Sequence, residues 1–195
     1  MKKRWNFLDE VGRKVVHLMS IFLIVLFVIV ARTAGRRWAL FSLVGLLILF
    51  MELEYVRIEL RQRIPLLWRV WRHQERNRIG SQIFFLLGAI IAFAVFDFRI
   101  AVAAILMTTF GDMVAALVGK KFGRVKIFRS QTFEGSFAEF VVDVLIGAFL
   151  IGNLWIVLGM ALTATVVEVV AHKLDDNLLI PVCAGFVGQI LVVFL

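Results

Sequence analysis

Cysteine and histidine are scarce here and the familiar nucleotide loops are missing, and each absence removes a class of chemistry. A single cysteine, Cys183, has no partner for an internal disulfide and cannot build a zinc or iron–sulfur centre. Its expected state is a small apolar residue inside the fold. His17, His73 and His172 are scattered rather than set at metal-ligand spacing. Neither a G-x-x-x-x-G-K-S/T phosphate loop nor a G-x-S-x-G nucleophile elbow occurs. There is no internal repeat, no low-complexity linker and no polar stretch long enough for a separate soluble domain. A nucleic-acid role loses its ground with that last absence, because no basic soluble module presents itself to a phosphate backbone.

What the chain has instead is hydrophobicity. Of its 195 residues 62% are hydrophobic, against about 45–50% in an ordinary soluble domain. Runs long enough to cross a hydrocarbon layer of about 30 Å lie at Val15–Ala31, Trp38–Val56, Ile83–Phe96, Ile100–Gly119, Gly135–Ile151, Asn153–Ala171 and Leu178–Leu195. The pattern predicts an all-α, polytopic membrane helix bundle with about seven transmembrane helices, forming a single domain over residues 1–195. The basic-then-apolar N-terminus imitates a secretory signal. Its long apolar run, the abutting Arg13 and Lys14, and the many later spans make it a retained first span.

Charge sets the orientation. There are 22 Lys and Arg against 14 Asp and Glu, a formal net charge of +8. With the N-terminus in the cytoplasm, threading seven spans leaves only Arg32, Arg36, Arg37 and Arg99 of the 22 basic residues on the far side. That asymmetry is the positive-inside rule, and the same basic face attracts anionic lipid. The longest polar stretch, Arg57–Gln82, sets Ile64, Leu67, Trp68 and Trp71 among arginines at near-helical spacing, with Pro65 near the first turn. It predicts an amphipathic helix lying in the cytoplasmic interface. Oligomeric state has no signature in the sequence.

Four polar groups flank or enter the spans on that side. The first is Glu10, Arg13, Lys14 and His17; Arg13 and His17 share a helix face at i, i+4. Anchoring accounts for the two cations, and phosphate contact accounts for the set with His17. The second is Glu75-Arg76-Asn77-Arg78-Ile79-Gly80-Ser81, which in isolation is a solvated charge run.

The third runs from Phe110 to Ser136. A carboxylate in lipid costs about 2.5–3.5 kcal/mol on insertion scales, so Asp112 marks a functional site by default. Ala115, Ala116 and Gly119 follow it at i+3, i+4 and i+7, and Gly119 and Gly123 form a small-xxx-small pair. Such a face suits close helix packing or a nucleotide laid against the backbone. Beyond the basic turn, Thr132, Glu134, Gly135 and Ser136 open the next span, where a helix N-terminus receives anions. Glu134 there is either a dipole partner or, with a carboxylate from the neighbouring helix, a Mg²⁺ ligand.

The fourth group is Glu168, His172, Asp175, Asp176, Asn177 and Pro181. A polar turn accounts for its later members but not for Glu168 within an apolar run. Glu139 and Asp143 are two further acids on one face of the fifth span, suited to a polar cavity wall or a lipid-alcohol contact.

In this order the four groups resemble the polyprenol kinase family, which includes dolichol kinase, phytol kinase and CTP-dependent diacylglycerol kinase. Arg13, Lys14 and His17 match its Arg-Lys-x-x-His element, and Glu75 with Gly80 matches its Glu before a span. Gly111, Asp112, Ala115, Gly119 and Gly123 match Gly-Asp-x-x-Ala-x-x-x-Gly-x-x-x-Gly. Thr132, Glu134, Gly135 and Ser136 match Ser/Thr-x-Glu-Gly-Ser, and Glu168, Asp176, Asn177 and Pro181 match the late Glu with Asp-Asn-x-x-x-Pro. The chain departs from the pattern at Gln131, where relatives usually carry Lys; Lys126 and Arg129 are the nearby cations.

The resemblance implies an integral-membrane kinase that moves the γ-phosphoryl of a nucleoside triphosphate, CTP above all, to the hydroxyl of a polyprenol, phytol or diacylglycerol. It implies Mg²⁺ or another divalent cation, and a site at the cytoplasmic helix ends. Asp112 would be a metal ligand or base, with Glu134 and Asp176 as further metal or water ligands. Arg13, Lys14 and His17 would hold phosphates, and Gly111, Gly119, Gly123, Thr132, Gly135, Ser136 and Asn177 would line the nucleotide. Glu75, Glu168, Lys126 and Arg129 would support them. Phosphoryl transfer needs positioning and charge neutralisation more than covalent help, which suits such a set. A cytidylyltransferase acting on phosphatidic acid would share CTP, metal and lipid, but its Lys-Asp…Asp-Arg signature is absent. A non-enzymatic lipid transporter would place its polar groups at the midplane rather than at one face.

Overall fold

Apolar runs separated by short polar turns give helices almost throughout. The computed structural model describes residues 7–59, 79–128, 131–171 and 174–195, with side chains from residue 20 onward. Within these, the chain forms α1 (Phe7–Thr33), α2 (Arg36–Ile58), α3 (Ser81–Val95) and α4 (Phe98–Leu106). A π-helical turn (Met107–Gly111) leads into α5 (Asp112–Phe122), and β1 (Lys126–Phe128) and β2 (Gln131–Thr132) follow. The chain closes with α6 (Phe133–Leu150), α7 (Leu154–Val170) and α8 (Asp176–Phe194). Two compact units divide it, residues 1–83 and 84–195.

Three of these helical stretches are long and apolar enough to cross a bilayer: Arg36–Ile58, Phe98–Phe122 and Asp176–Phe194. By length and composition this is a membrane protein. Three of the seven expected spans are matched on length and apolarity among the described residues, and the stretches Ser20–Thr33, Ser81–Val95 and Leu154–Val170 are shorter apolar helices. The 15-residue α3 rises only about 22 Å, short of a hydrocarbon layer of about 30 Å. α6 has 18 residues but carries Glu134, Glu139 and Asp143. The expected interfacial helix, with Glu75, falls mostly at residues 60–78, outside the described residues.

In the first unit α1 and α2 pack together across a short connection in which Gly35 has φ 98°. Leu23 and Phe27 of α1 and Ala39 and Leu43 of α2 are buried. Glu54 is buried on α2, where it pairs with Arg57 and accepts from Gln82 Nε2 at 2.8 Å.

In the second unit α4 is the central helix, buried at every residue from Ile100 to Ile105. A helix apolar on all sides belongs inside a bundle, and α4 packs against α8 and α6. The π turn interrupts the α-helical ladder at its end. Thr108 and Thr109 turn their hydroxyls back to the Ala104 and Ile105 carbonyls at 2.8 and 2.9 Å, so the buried turn keeps its polar groups bonded. α5 runs on from this turn and packs against α6, α6 against α7, and α7 against α8.

The small-residue face packs at the α5–α6 contact. A methyl group on Gly135 would lie 2.8 Å from the Ala115 carbonyl oxygen and 3.3 Å from the Gly119 Cα. One on Gly119 would lie 2.9 Å from Thr132 Oγ1. The glycine spacing thus allows backbone-to-backbone packing of two helices.

Candidate functional site

Asp112 is the first residue of α5, directly after the π turn. Its neighbour Gly111 lies against α6 so closely that a methyl group there would sit 2.8 Å from Asp143 Oδ1 and 3.2 Å from Glu139 Cγ. Four helices converge around this point. Asp112 of α5 lies within electrostatic reach of Glu139 on α6, Glu168 on α7 and Asp176 on α8. Glu139, Asp143 and Glu168 are 1%, 0% and 4% exposed. Ser136 is buried one turn before Glu139, so Ser136, Glu139 and Asp143 follow one another along a single face of α6.

The buried acids are poorly supplied with donors. Among the described residues, Glu139 Oε2, both Asp143 oxygens, Glu168 Oε2 and Ser136 Oγ have no hydrogen-bond partner. Most buried polar atoms in folded proteins are paired, so this group stands out within the bundle. All of its ligand atoms are oxygen, the donor type that Mg²⁺ selects. Among the described residues no three His, Cys, Asp or Glu side chains form a metal-holding group. Magnesium at a nucleotide site takes one or two protein carboxylates and fills its shell with phosphate oxygens and water. The donors present fit a nucleotide-borne Mg²⁺ of that kind rather than a resident all-protein cage.

Gln131 has a place in this arrangement that the sequence did not disclose. From β2 its Nε2 donates to Glu168 Oε1 at 3.0 Å, tying the hairpin to the buried acid of α7. A neutral amide thus stands beside a carboxylate at the position where the chain departs from the pattern it resembles. Gln131→Leu would leave Glu168 Oε1 unpaired at a cost of about 1–3 kcal/mol, while Gln131→Lys would keep a donor and add a counter-charge. The expected result in detergent is a lowered apparent melting midpoint for Gln131→Leu and none for Gln131→Lys. Equal destabilisation by both would overturn the role given to the bond.

Glu134 is engaged differently from the other acids. Its carboxylate accepts from the Val125 amide at 3.3 and 3.4 Å, in the turn after α5. With Lys121, Phe122, Gly123 and Arg124 it lines a cavity of about 430 Å³. Its own backbone amide at the helix start, the Arg124 and Val125 amides and the Arg124 guanidinium hold its carboxyl below the usual range, against a smaller opposing effect of burial. Thr132 caps the same helix by accepting from the Gly135 amide at 3.2 Å, so that amide is already taken by protein.

Asn177 organises the start of α8. Its side-chain amide donates to Asp175 Oδ1 at 2.8 Å and Asp176 Oδ1 at 3.1 Å, and Asp175 caps the helix through the Asn177 backbone amide at 3.1 Å. Pro181, inside α8, has no N–H for the Asn177 carbonyl four residues back. Gly88 of α3 fits against this spot, since a methyl group there would lie 2.9 Å from the Asn177 oxygen and 2.8 Å from Pro181 Cγ.

Of the other expected residues, Lys126 is exposed on β1, in register with Thr132, and Gly123 ends α5. Arg13, Lys14 and His17 lie on α1, but their side chains, together with Glu75, Arg129 and His172, fall outside the described residues. Lys121 and Arg124 had no assigned part beyond the basic turn, and Glu139 and Asp143 no definite one. The i, i+3, i+7 spacing of Ser136, Glu139 and Asp143 was the available signal for the latter two.

No protein-family profile matches the chain, and no solved structure does. The chain is 30% identical over 133 residues to CTP-dependent diacylglycerol kinase 1 of Schizosaccharomyces pombe, over 58% of this chain and 61% of that protein. It is 32% identical over 76 residues to the protein of the same name from Eremothecium gossypii, over 38% of this chain and 24% of that protein. It thus spans less than two thirds of the length of either relative. The family resemblance carried by the polar motifs is borne out by relatives that bear a lipid-kinase name.

Proposed function

We propose that this chain is a lipid-alcohol kinase that transfers the γ-phosphoryl of CTP to the hydroxyl of diacylglycerol or a similar membrane alcohol. The observation that carries the reading is the convergence of Asp112, Glu139, Glu168 and Asp176 from four helices, with Glu139 Oε2 and Glu168 Oε2 buried and without a hydrogen-bond partner among the described residues. The names of the two relatives support CTP as donor and diacylglycerol as acceptor.

In this reading Asp112 and Asp176 supply oxygens to the divalent cation, with Glu134 beside the nucleotide at the mouth of α6. Magnesium, when bound, would neutralise charge on the terminal phosphates. Lys121 and Arg124, lining the cavity with Glu134, neutralise phosphate charge from the protein side. Arg13, Lys14 and His17 stay in the proposal on the resemblance alone. The alcohol oxygen attacks the γ-phosphorus, the bond from that phosphorus to the β-phosphate bridging oxygen breaks, and CDP leaves. The hydroxyl proton passes to Asp112, the carboxylate at the start of α5. Residues 1–195 act as one kinase domain in the membrane, with the N-terminus and the site on the cytoplasmic side, which the distribution of Lys and Arg supports.

Purified protein given γ-labelled or α-labelled CTP, or ATP, with a panel of diacylglycerol, polyprenol and phytol tests this directly. Label from the γ position should appear in a phospholipid, with CDP released. Pyrophosphate with a CDP-lipid formed from phosphatidic acid would overturn the kinase in favour of a cytidylyltransferase.

A further inference from the structure

The basic segment after α5 folds into a hairpin on which several apolar side chains are about half exposed beside exposed cations. β1 and β2 pair antiparallel, with Lys126 opposite Thr132 and Phe128 opposite Gln131, and the Phe133 amide donates to the Val125 carbonyl at 2.9 Å. Phe122, Val125, Ile127 and Phe133 are each between 47% and 60% exposed. Lys121, Arg124 and Lys126 are exposed among them.

We infer that this hairpin is a membrane-surface element, its apolar side chains Val125, Ile127 and Phe133 seated at the boundary between headgroups and acyl chains and Lys126, which lies outside the cavity lined by Lys121 and Arg124, among anionic headgroups. Covalent geometry places it there. Phe122 ends a helical stretch long and apolar enough to cross the bilayer. Val125 is three residues on, at most about 11 Å away, and the chain folds straight back into α6. The headgroup zone is itself about 5–8 Å deep on each side, so the hairpin cannot leave the membrane surface. A strand pair this short is not stable alone in water, and it exposes apolar side chains at a depth where lipid would cover them. Lys126 among them matches an anionic lipid surface rather than an apolar protein groove. The Glu134 carboxylate holds the turn at the Val125 amide, so the element is fastened at its base.

This inference rests on the membrane reading and not on the kinase. Cys183 is the sole cysteine, so Cys183→Ala gives a background in which Ile127→Cys takes one polarity-sensitive dye. The labelled full-length chain, shown folded by its elution and melting, is reconstituted in vesicles of phosphatidylcholine with and without phosphatidylserine. The expected result is blue-shifted emission and quenching several-fold stronger by a nitroxide high on the acyl chain than by aqueous iodide, greater in the anionic vesicles. Emission of a water-exposed dye would overturn the inference. So would a dye shielded from both quenchers, which would mean the hairpin packs against protein. The readout needs no nucleotide, so an inactive enzyme with an inserted hairpin would sink only the kinase reading.

Discussion

Asp112→Asn is expected to abolish most phosphoryl transfer while leaving the fold at least as stable as before. The change preserves shape and removes one negative charge from a place where Glu139, Glu168 and Asp176 lie within electrostatic reach. If the acids gather only for structure, relieving their repulsion should stabilise the protein and do little else. If Asp112 holds the cation that neutralises the transferring phosphate, turnover should fall about 10²–10³-fold, the usual cost of removing one such electrostatic partner. Measuring labelled phospholipid and the apparent melting midpoint on the same preparation separates the two. Near-normal turnover in Asp112→Asn would remove Asp112 from the machinery.

Gly135→Val is expected to be the most damaging packing change in the second unit. The added Cβ alone would lie 2.8 Å from the Ala115 carbonyl oxygen and 3.0 Å from Thr132 Oγ1. The first of these is backbone, so relief requires α5 and α6 to move apart. Overpacking a well-filled contact costs about 1–3 kcal/mol, and a β-branched residue against a fixed carbonyl should reach the upper end of that range. The same separation would pull Gly111 from Asp143 and Glu139, so activity should fall with stability. A marked drop in melting midpoint for Gly135→Val, with a smaller one for Gly119→Ala, is the expected order. Gly119→Ala meets the Thr132 hydroxyl rather than backbone. A Gly135→Val protein that melts like the unsubstituted one would overturn the packing role.

The sequence carried some of this and concealed the rest for definable reasons. Asp112 was legible because a carboxylate within an apolar run has few structural excuses. The small face at Ala115 and Gly119 was legible as a face but ambiguous as to partner, since a helix and a nucleotide ask for the same absence of side chain. The position of Gly135 shows the helix contact, which no local pattern reports. The hairpin was illegible because strands of three and two residues leave no periodicity, and their basic composition reads as a turn. Gln131 stood out only as a departure; its bond to Glu168 spans thirty-seven positions of chain, and no local pattern reports that. Span length was less legible than apolarity: α3 has only 15 residues, and the acids on α6 dilute an otherwise apolar helix.

The π turn has a further consequence. Each residue in an α-helix turns the chain by about 100°, and a π turn closes its hydrogen bonds over one residue more than an α turn. The stretch Met107–Gly111 therefore works as a register offset within a single membrane-length helix. Everything after it, Asp112 and the Ala115–Gly119 face alike, is phased as a unit relative to α4. One irregular turn thus aims the carboxylate and the packing surface together, and neither can be re-aimed without the other.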